Sequence, residues 1–384
     1  LKKFEGSGGI MNAIRTAETP LFSRRGFIGK TSQWSALLAA YQLLPLPALA
    51  ASLARDSRVS QTPIADKGFA SVRKVGDGLY ATISDPSKGL QTLCNGGFLV
   101  GKDAALLIEG FVSATGAGFQ YDTLRSLSKG PIMGALDTHY HYDHTMGNAF
   151  YGANGISLWA HAGVGKRILD SYGVMQGADK AAFFAPLEAR AKNAKTEAAR
   201  KHAAELVSAV GNIFNVANST VLGLPNRPLD PAKLPVKLDL GGLTAVVETH
   251  PGHSGTDLIV RVPEQNVVYT GDLLFNNLYP VAFDEQATVS GWRSTLKMFL
   301  SYDKDTIFVP GHGQIGGRAV VQLFIDLFDD VAGQAEKMYK AGVPAEDAAD
   351  QYVVPDKYKN VTIFAWNLSI GPTITKLYKE WDVK

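Results

Sequence analysis

Six of the eight histidines in this 384-residue chain fall into three short phrases, five of them at positions whose residue types suit a pair of metal ions. The densest is Thr138-His139-Tyr140-His141-Tyr142-Asp143-His144, which places four nitrogen or oxygen ligands within six residues. It follows the apolar run Ile132-Met133-Gly134-Ala135-Leu136, read here as a strand. Successive strand residues point to opposite faces, so His139 and His141 share a face. The turn after them brings Asp143 and His144 round to a second position. Neutral imidazole and carboxylate suit Zn2+, which takes such ligands at roughly 2.0–2.2 Å. Iron or manganese fits the same nitrogen and oxygen set.

Three further phrases close other predicted strands. Residues 243–249 run into His250-Pro251-Gly252-His253-Ser254-Gly255-Thr256-Asp257, residues 266–270 into Gly271-Asp272, and residues 306–309 into Pro310-Gly311-His312-Gly313. Glycine and proline at these points allow tight turns and close backbone approach. Side chains on the strand ends of one rigid scaffold can converge without a costly loop search.

The order of these phrases resembles the metallo-β-lactamase superfamily: His-x-His-x-Asp-His, then Pro-Gly-His-Ser, Thr-Gly-Asp and Pro-Gly-His-Gly. The resemblance covers about residues 66–384 and includes Asn95-Gly96-Gly97-Phe98-Leu99-Val100 and residues 104–110, which look like the family's opening hairpin. It implies an α/β fold, a four-layer αββα sandwich, here with a helical insertion. Carried over residue by residue, it implies one metal on His139, His141 and His253, a second on Asp143, His144 and His312, and Asp272 as the bridge. Glu109 stands where the family's second strand often ends in Asp, and is read as a hydrogen-bond partner behind the ligands. A bridging carboxylate looks like the glyoxalase II-type and broader hydrolase branches, whereas several lactamase branches place Cys or Ser near that position.

Two zinc ions about 3.5–4 Å apart can share a water and lower its pKa to about 7, giving hydroxide at neutral pH. Asp143 is then also the candidate catalytic proton acceptor. Asn277 and Tyr279, soon after Asp272, are candidate substrate contacts, while Tyr140 and Tyr142 are expected to pack around the metals. The resemblance therefore implies a dinuclear zinc hydrolase of a small ester, thioester, lactone or related substrate, most like an exported, cyclase- or quinoprotein-associated branch. The alternative is a metallo-β-lactamase that hydrolyses β-lactam antibiotics. The family's diiron redox branch has Glu where His141 stands and adds a flavin domain, and the sequence matches neither. A binding module that had lost its chemistry would show gaps among the ligands, and the set is complete.

Ser23-Arg24-Arg25-Gly26-Phe27-Ile28-Gly29-Lys30 is a twin-arginine phrase, followed by an apolar stretch from Trp34 through Leu46 and by Ala48-Leu49-Ala50. That order predicts a Tat signal peptide over residues 11–50, a periplasmic destination, the Tat export machinery as a partner and no stable membrane anchor. Residues 1–10, ahead of Met11, read as a tag or an overextended reading frame. The Tat route carries folded proteins, so a metal site can be loaded before export. The single Cys94 allows no intrachain disulfide and is read as a buried apolar thiol. Lys plus Arg number 38 against 36 Asp plus Glu, a net charge of +2. Such a balance argues against a nucleic-acid groove and leaves a small-molecule substrate as the expected ligand.

Residues 68–109 read as short strands broken by turns, 117–129 as a helix, and 155–160 as another strand. From about 161 the chain turns helical, with residues 180–209 rich in Ala, Glu, Lys and Arg and holding few breakers, and residues 225–235 form a proline-rich connection. The helical insertion thus spans about 161–234, and further helices are expected at 292–300, 319–340 and 362–381. An insertion after a ligand-bearing strand is placed to act as a lid, although Phe183, Phe184 and Phe214 are read as packing between its helices. His161, His202 and His250 have no evident metal partner, His250 being the one near enough in sequence to stand behind a ligand.

Overall fold

The computed structural model describes residues 56–383, all within one unit of the chain. The expected signal peptide lies outside the described residues. Two sheets carry the fold. The first has eight strands in chain order: β1 (Ala65–Asp66), β2 (Ala70–Gly76), β3 (Leu79–Ser84), β4 (Gly96–Val100), β5 (Ala105–Ile108), β6 (Ile132–Leu136), β7 (Leu158–His161) and β8 (Arg227–Leu229). β1 to β5 pair antiparallel, and β5 to β8 pair parallel. The second sheet comprises β9 (Val236–Asp239), β10 (Thr244–Thr249), β11 (Leu258–Val262), β12 (Val267–Phe275) and β13 (Ile307–His312). Its pairs are antiparallel except the last, β12 with β13, which is parallel.

Period-two alternation decides which side chains face which layer. In β5, Leu106 and Ile108 enter the core between the sheets, while Ala105 and Leu107 face outward. In β11 to β13, Leu258, Val260, Val267, Tyr269, Ile307 and Val309 fill the same inter-sheet core from the other side. The outward residues Ile259, Val268 and Phe308 meet helices instead. Strands buried on both faces read as continuous apolar runs, which is why β12 shows no polar alternation.

Helix α1 (Ala114–Leu127), α2 (Tyr142–Thr145) and α3 (Asn148–Ala153) follow the first sheet's strands. Ser113 caps α1, its hydroxyl accepting from the Gly116 amide at 3.2 Å. The helix thus starts three residues before the expected 117. Its Phe119 and Leu124 cover the outer face of the first sheet. The insertion contributes α4 (Val164–Ser171), α5 (Lys180–Asn193) and α6 (Glu197–Ser219). The expected helical stretch over 180–209 is two helices parted at Ala194, and Thr196 caps the second through the Ala199 amide. Phe183, Phe184 and Phe214 pack on one another with ring centroids 5.1–5.5 Å apart, so they join the hairpin rather than line a pocket.

The second sheet is covered by α7 (Val289–Ser301), α8 (Arg318–Lys340), α9 (Ala345–Gln351) and α10 (Ile370–Asp382). Val321, Phe324, Phe328, Val331 and Ala335 of α8 recur at helical spacing and form its buried stripe. The last helix begins at Ile370, not near 362, because Thr362 is drawn into a bridge with Leu278. α9 was not expected. The proline-rich connection holds β8, an edge strand where Pro228 is tolerated. The layers run helix, sheet, sheet, helix.

Candidate metal centre

Four irregular segments bring the ligands together at one end of the two sheets. β6 stops at Leu136, and after four residues the chain makes the single turn α2, with His141 at its N-cap and Asp143 and His144 within it. His253 lies in the loop between β10 and β11. Asp272 sits in β12 where pairing with β13 shifts register on either side of Gly271, a bulge that re-aims the next side chain. Gly271 has φ +50°, and a Cβ there would lie 2.4 Å from Thr138 Oγ1. His312 closes β13.

His139, His141, His253 and Asp272 form one group, and Asp143, His144 and His312 another, the ligand atoms in each lying within 4.8 Å of one another. In the first group His141 Nδ1 is 3.0 Å from His139 Nε2 and 2.8 Å from His253 Nε2. A tetrahedron with bonds of ~2.0–2.1 Å has edges of about 3.3 Å, close to this spacing. In the second, His312 Nε2 is 3.2 Å from Asp143 Oδ2, and His144 Nε2 is 3.6 Å from the same oxygen. Asp272 joins the groups. Its Oδ2 lies 3.2 Å from His253 Nε2 and 3.7 Å from His139 Nε2, while its Oδ1 lies 3.2 Å from His144 Nε2 and 3.4 Å from His312 Nε2. His144 Nε2 and Asp272 Oδ1 are buried and make no hydrogen bond among the described residues. Facing each other at 3.2 Å in a buried site, the two atoms leave a polar gap that a cation between the groups would fill. The donor set and its convergence fit two divalent metal ions.

Behind the ligands stand fixed hydrogen-bond partners. Thr138 donates its hydroxyl to Glu109 Oε1 at 2.6 Å and is 3.1 Å from His139 Nδ1, while the same Glu109 oxygen is 3.2 Å from His144 Nδ1. Glu109, buried at φ +76°, thus meets His144 directly and His139 through the Thr138 hydroxyl, so the hydrogen-bond role expected of it behind the ligands extends to both groups. Asp257 accepts from the Ser254 amide at 2.7 Å and from its hydroxyl at 2.5 Å, tying the His253 loop. Asn95, at the start of β4, donates to the Pro310 and Gly313 carbonyls at 2.9 and 2.7 Å and so braces the His312 turn across the two sheets. Trp292 of α7 donates to the Leu273 carbonyl and sets its ring 5.2 Å from that of His253.

Electrostatics separates the two groups. Burial, helped by the neighbouring charges of His144 and His141, holds His139 well below the usual histidine range, and burial takes His253 down to about 3. Both imidazoles are neutral at physiological pH, the form a metal needs. Burial opposes protonation of His312 and His144 too, but nearby acidic groups outweigh it: Asp272 and Asp143 push His312 up to about 9, and Cys94, Asp272, Glu109 and Asp143 raise His144. Asp272 is itself held well below the carboxylate range because the surrounding imidazoles outweigh its burial.

A test follows from this asymmetry. Below a pH of about 9 the metal-free second group holds protons that an incoming cation must displace. Its apparent affinity should rise with pH up to that point and fall as the solution is acidified. Calorimetric titration of the metal-free protein with Zn2+ at neutral pH, in buffers of different ionisation enthalpy, should show net proton release, concentrated in the second equivalent. Uptake of both equivalents without proton release would contradict it.

All seven sequence-proposed ligands therefore meet in space. The two substrate candidates do not join them. Tyr279 is fully buried with its hydroxyl 3.1 Å from that of Tyr352, so it has no open face for a substrate. Asn277 donates to the Asn360 carbonyl at 3.3 Å, tying its loop to the segment ahead of α10. Cys94 is buried and donates its thiol to the Asp143 carbonyl at 3.0 Å, outside both groups. His161 accepts from the Gly163 amide, His202 stacks on Trp366, and His250 is 3.1 Å from Glu248. Sequence reasoning passed over Asn95, Asp257 and Asp284, whose Oδ2 lies 3.7 Å from His141 Nε2. Only Asp257 carried a local signal, standing three residues after Ser254 as a side chain that closes a tight turn does.

The family model described as metallo-beta-lactamase superfamily matches residues 90–312. Uncharacterized proteins of Mycobacterium tuberculosis and Mycobacterium bovis are 33% identical over 85 residues, a stretch that is 20% of this chain and 37% of theirs. The chain thus spans little more than a third of the length of these curated relatives. Among solved structures, TMB-1 is similar at 19% identity and a TM-score of 0.46, over 67% of this chain and 96% of that one. DIM-1 metallo-beta-lactamase exposed to ceftazidime is similar at 17% identity and a TM-score of 0.46, over 68% and 98%. With more than half of its length matched by the family model, and with two sheets between helical layers, this chain belongs to the metallo-β-lactamase superfamily, a fold of metal-dependent hydrolases.

Proposed function

We propose that this protein is a dinuclear zinc hydrolase of small ester, thioester, lactone or related substrates, exported to the periplasm by the Tat route. One observation carries the reading: the two oxygens of Asp272 face the two ligand groups separately. Bound there, two zinc ions would supply Lewis acidity and lower the pKa of a water to about 7. The chain supplies the rest. His139 and His253 offer imidazoles that burial keeps neutral, with His141 beside them, and His144 and His312 outweigh burial to hold the Asp143 carboxyl below the usual carboxylate range. The side chains of His312 and Asp143, 14% and 10% exposed, are the most open of the seven, so a substrate carbonyl would reach the centre over them. Phe283, 39% exposed and stacked on His141 at 4.9 Å, offers an apolar surface against a ligand of the first group for an acyl or alkyl group.

Export is supported by the order of Arg24-Arg25, the apolar stretch and Ala48-Leu49-Ala50. No helix among the described residues is long and apolar enough to cross a membrane. The test is metal analysis of the purified protein, then a panel of esters, thioesters, lactones, β-lactams and phosphodiesters. About two zinc ions per chain and turnover of an ester, thioester or lactone, abolished by EDTA and restored by Zn2+, are expected. Rapid nitrocefin turnover with none of the others would transfer the assignment to β-lactams.

A further inference from the structure

We propose that Arg167, on helix α4 of the insertion, is a positioning residue of the metal centre: it fixes the Asp284 carboxylate behind His141 and so sets the orientation of that imidazole. This rests on the metal reading above and gives the insertion a part in it. His141 presents two different edges. Its Nδ1 faces His139 and His253, whereas its Nε2 is buried, makes no hydrogen bond and looks toward Asp284 Oδ2 at 3.7 Å. A metal-bound imidazole is commonly oriented by an acceptor at its other nitrogen, and Asp284 stands at that position.

Asp284 is held from several sides. Its side chain is fully buried, and Oδ1 accepts from the Gln286 amide at 2.7 Å. Oδ2 accepts from the Tyr140 hydroxyl at 2.6 Å and from Arg167 Nη2 at 2.5 Å. The same Arg167 nitrogen also donates to the Tyr140 hydroxyl at 2.9 Å, and the guanidinium lies 4.5 Å from the centre of that ring. Its other terminal nitrogen reaches Glu285. The planar fork thus grips two successive carboxylates, a geometry that lysine cannot reproduce. Phe283, the residue before, stacks on the face of His141, so one short loop meets this imidazole on both edge and face. α4 holds the arginine in place, because Val164 and Ile168 are buried in one cluster with Tyr140, Met146 and Tyr172. A surface ion pair would do little, but here one partner is completely buried, and losing the other strands its charge.

The test uses the full chain with Co2+ as probe, comparing Arg167→Met, Arg167→Lys and Asp284→Asn by chelator competition and by the visible absorption of the bound ion. Affinity should fall about 10–100-fold in Arg167→Met and in Asp284→Asn, with a changed spectrum. The double variant should be no weaker than the worse single one, because both act on the same imidazole. Arg167→Lys should recover part of the loss. His202→Ala loosens the insertion where it stacks on Trp366 and meets Asp350, neither of them a partner of His141, and should leave affinity within about twofold of the parent. Parent-like Co2+ affinity and spectrum in Asp284→Asn or in Arg167→Met overturn the proposal. So does an equal loss in His202→Ala, which would mark a structural effect only. A parent chain that takes up no Co2+ overturns the metal reading and this one together.

Discussion

Asp272→Ala should leave less than about one firmly held metal per chain and reduce hydrolysis by ~1,000-fold or more, on the order of 4 kcal/mol of barrier. Among the described residues no other carboxylate lies this close to ligand atoms of both groups: its oxygens lie 3.2 Å from His253, 3.2 Å from His144 and 3.4 Å from His312. Removing it takes one ligand from each ion. It also removes a charge that raises both His144 and His312, so these imidazoles would give up protons at lower pH than in the parent. The fold should survive, because the apolar clusters of both sheets are complete without this residue. Metal content by mass spectrometry, turnover and a far-ultraviolet spectrum together check the claim. Asp272→Asn keeps the volume and removes the charge. Near-parental metal content in either variant would dismiss the carboxylate as the bridge.

The ligands could be read from sequence because each stands within a few residues of a strand end, where local turn chemistry limits where a side chain can go. His139, His141, Asp143 and His144 are fixed relative to one another by one strand end and one helical turn. Nothing comparable announces the residues behind them. Asn95 meets Pro310 across 215 positions, and Asp284 meets Tyr140 across 144. Those contacts exist only once the two sheets have packed, and no periodicity encodes them. Glu109 was legible because it ends a strand of the same hairpin pattern, although its double service to His139 and His144 was not.

The same limit explains the helices. Regular stripes such as Val321, Phe324 and Phe328 in α8 declared themselves, and the expected 319–340 differs from Arg318–Lys340 by one residue. The start of α10 did not, because residues 362–369 have helix-compatible composition but spend their backbone groups elsewhere. Thr362 accepts from the Tyr279 amide at 2.8 Å, and Ser369 donates its hydroxyl to the Pro280 carbonyl at 2.6 Å. Tertiary pairing overrode propensity there. Tyr279 was misplaced for the same reason: proximity to Asp272 in sequence suggested a substrate contact, but the segment carrying it pairs with residue 362 and turns its ring into the core.

Gly311→Ala is the most severe test of how tightly the backbone is packed around the centre. A Cβ at residue 311 would lie 2.0 Å from Asp272 Oδ1, with the Gly271 carbonyl carbon at 2.8 Å. The methyl has nowhere to retreat, because the Gly311 carbonyl accepts from the Asn95 amide at 2.7 Å and the Asn95 side chain holds the residues on either side. Either the carboxylate swings away from His144 and His312, or β13 slides along β12 and carries His312 with it. Both outcomes break the second ligand group. Crowding of this kind costs about 1–3 kcal/mol of stability, so the variant should fold with a lower melting temperature. Metal loss should be selective: about one equivalent retained on His139, His141 and His253, and turnover down by ~100-fold or more. A modest loss of stability with unchanged metal content would mean that the turn at Pro310-Gly311 yields where the hydrogen bonds from Asn95 say it cannot.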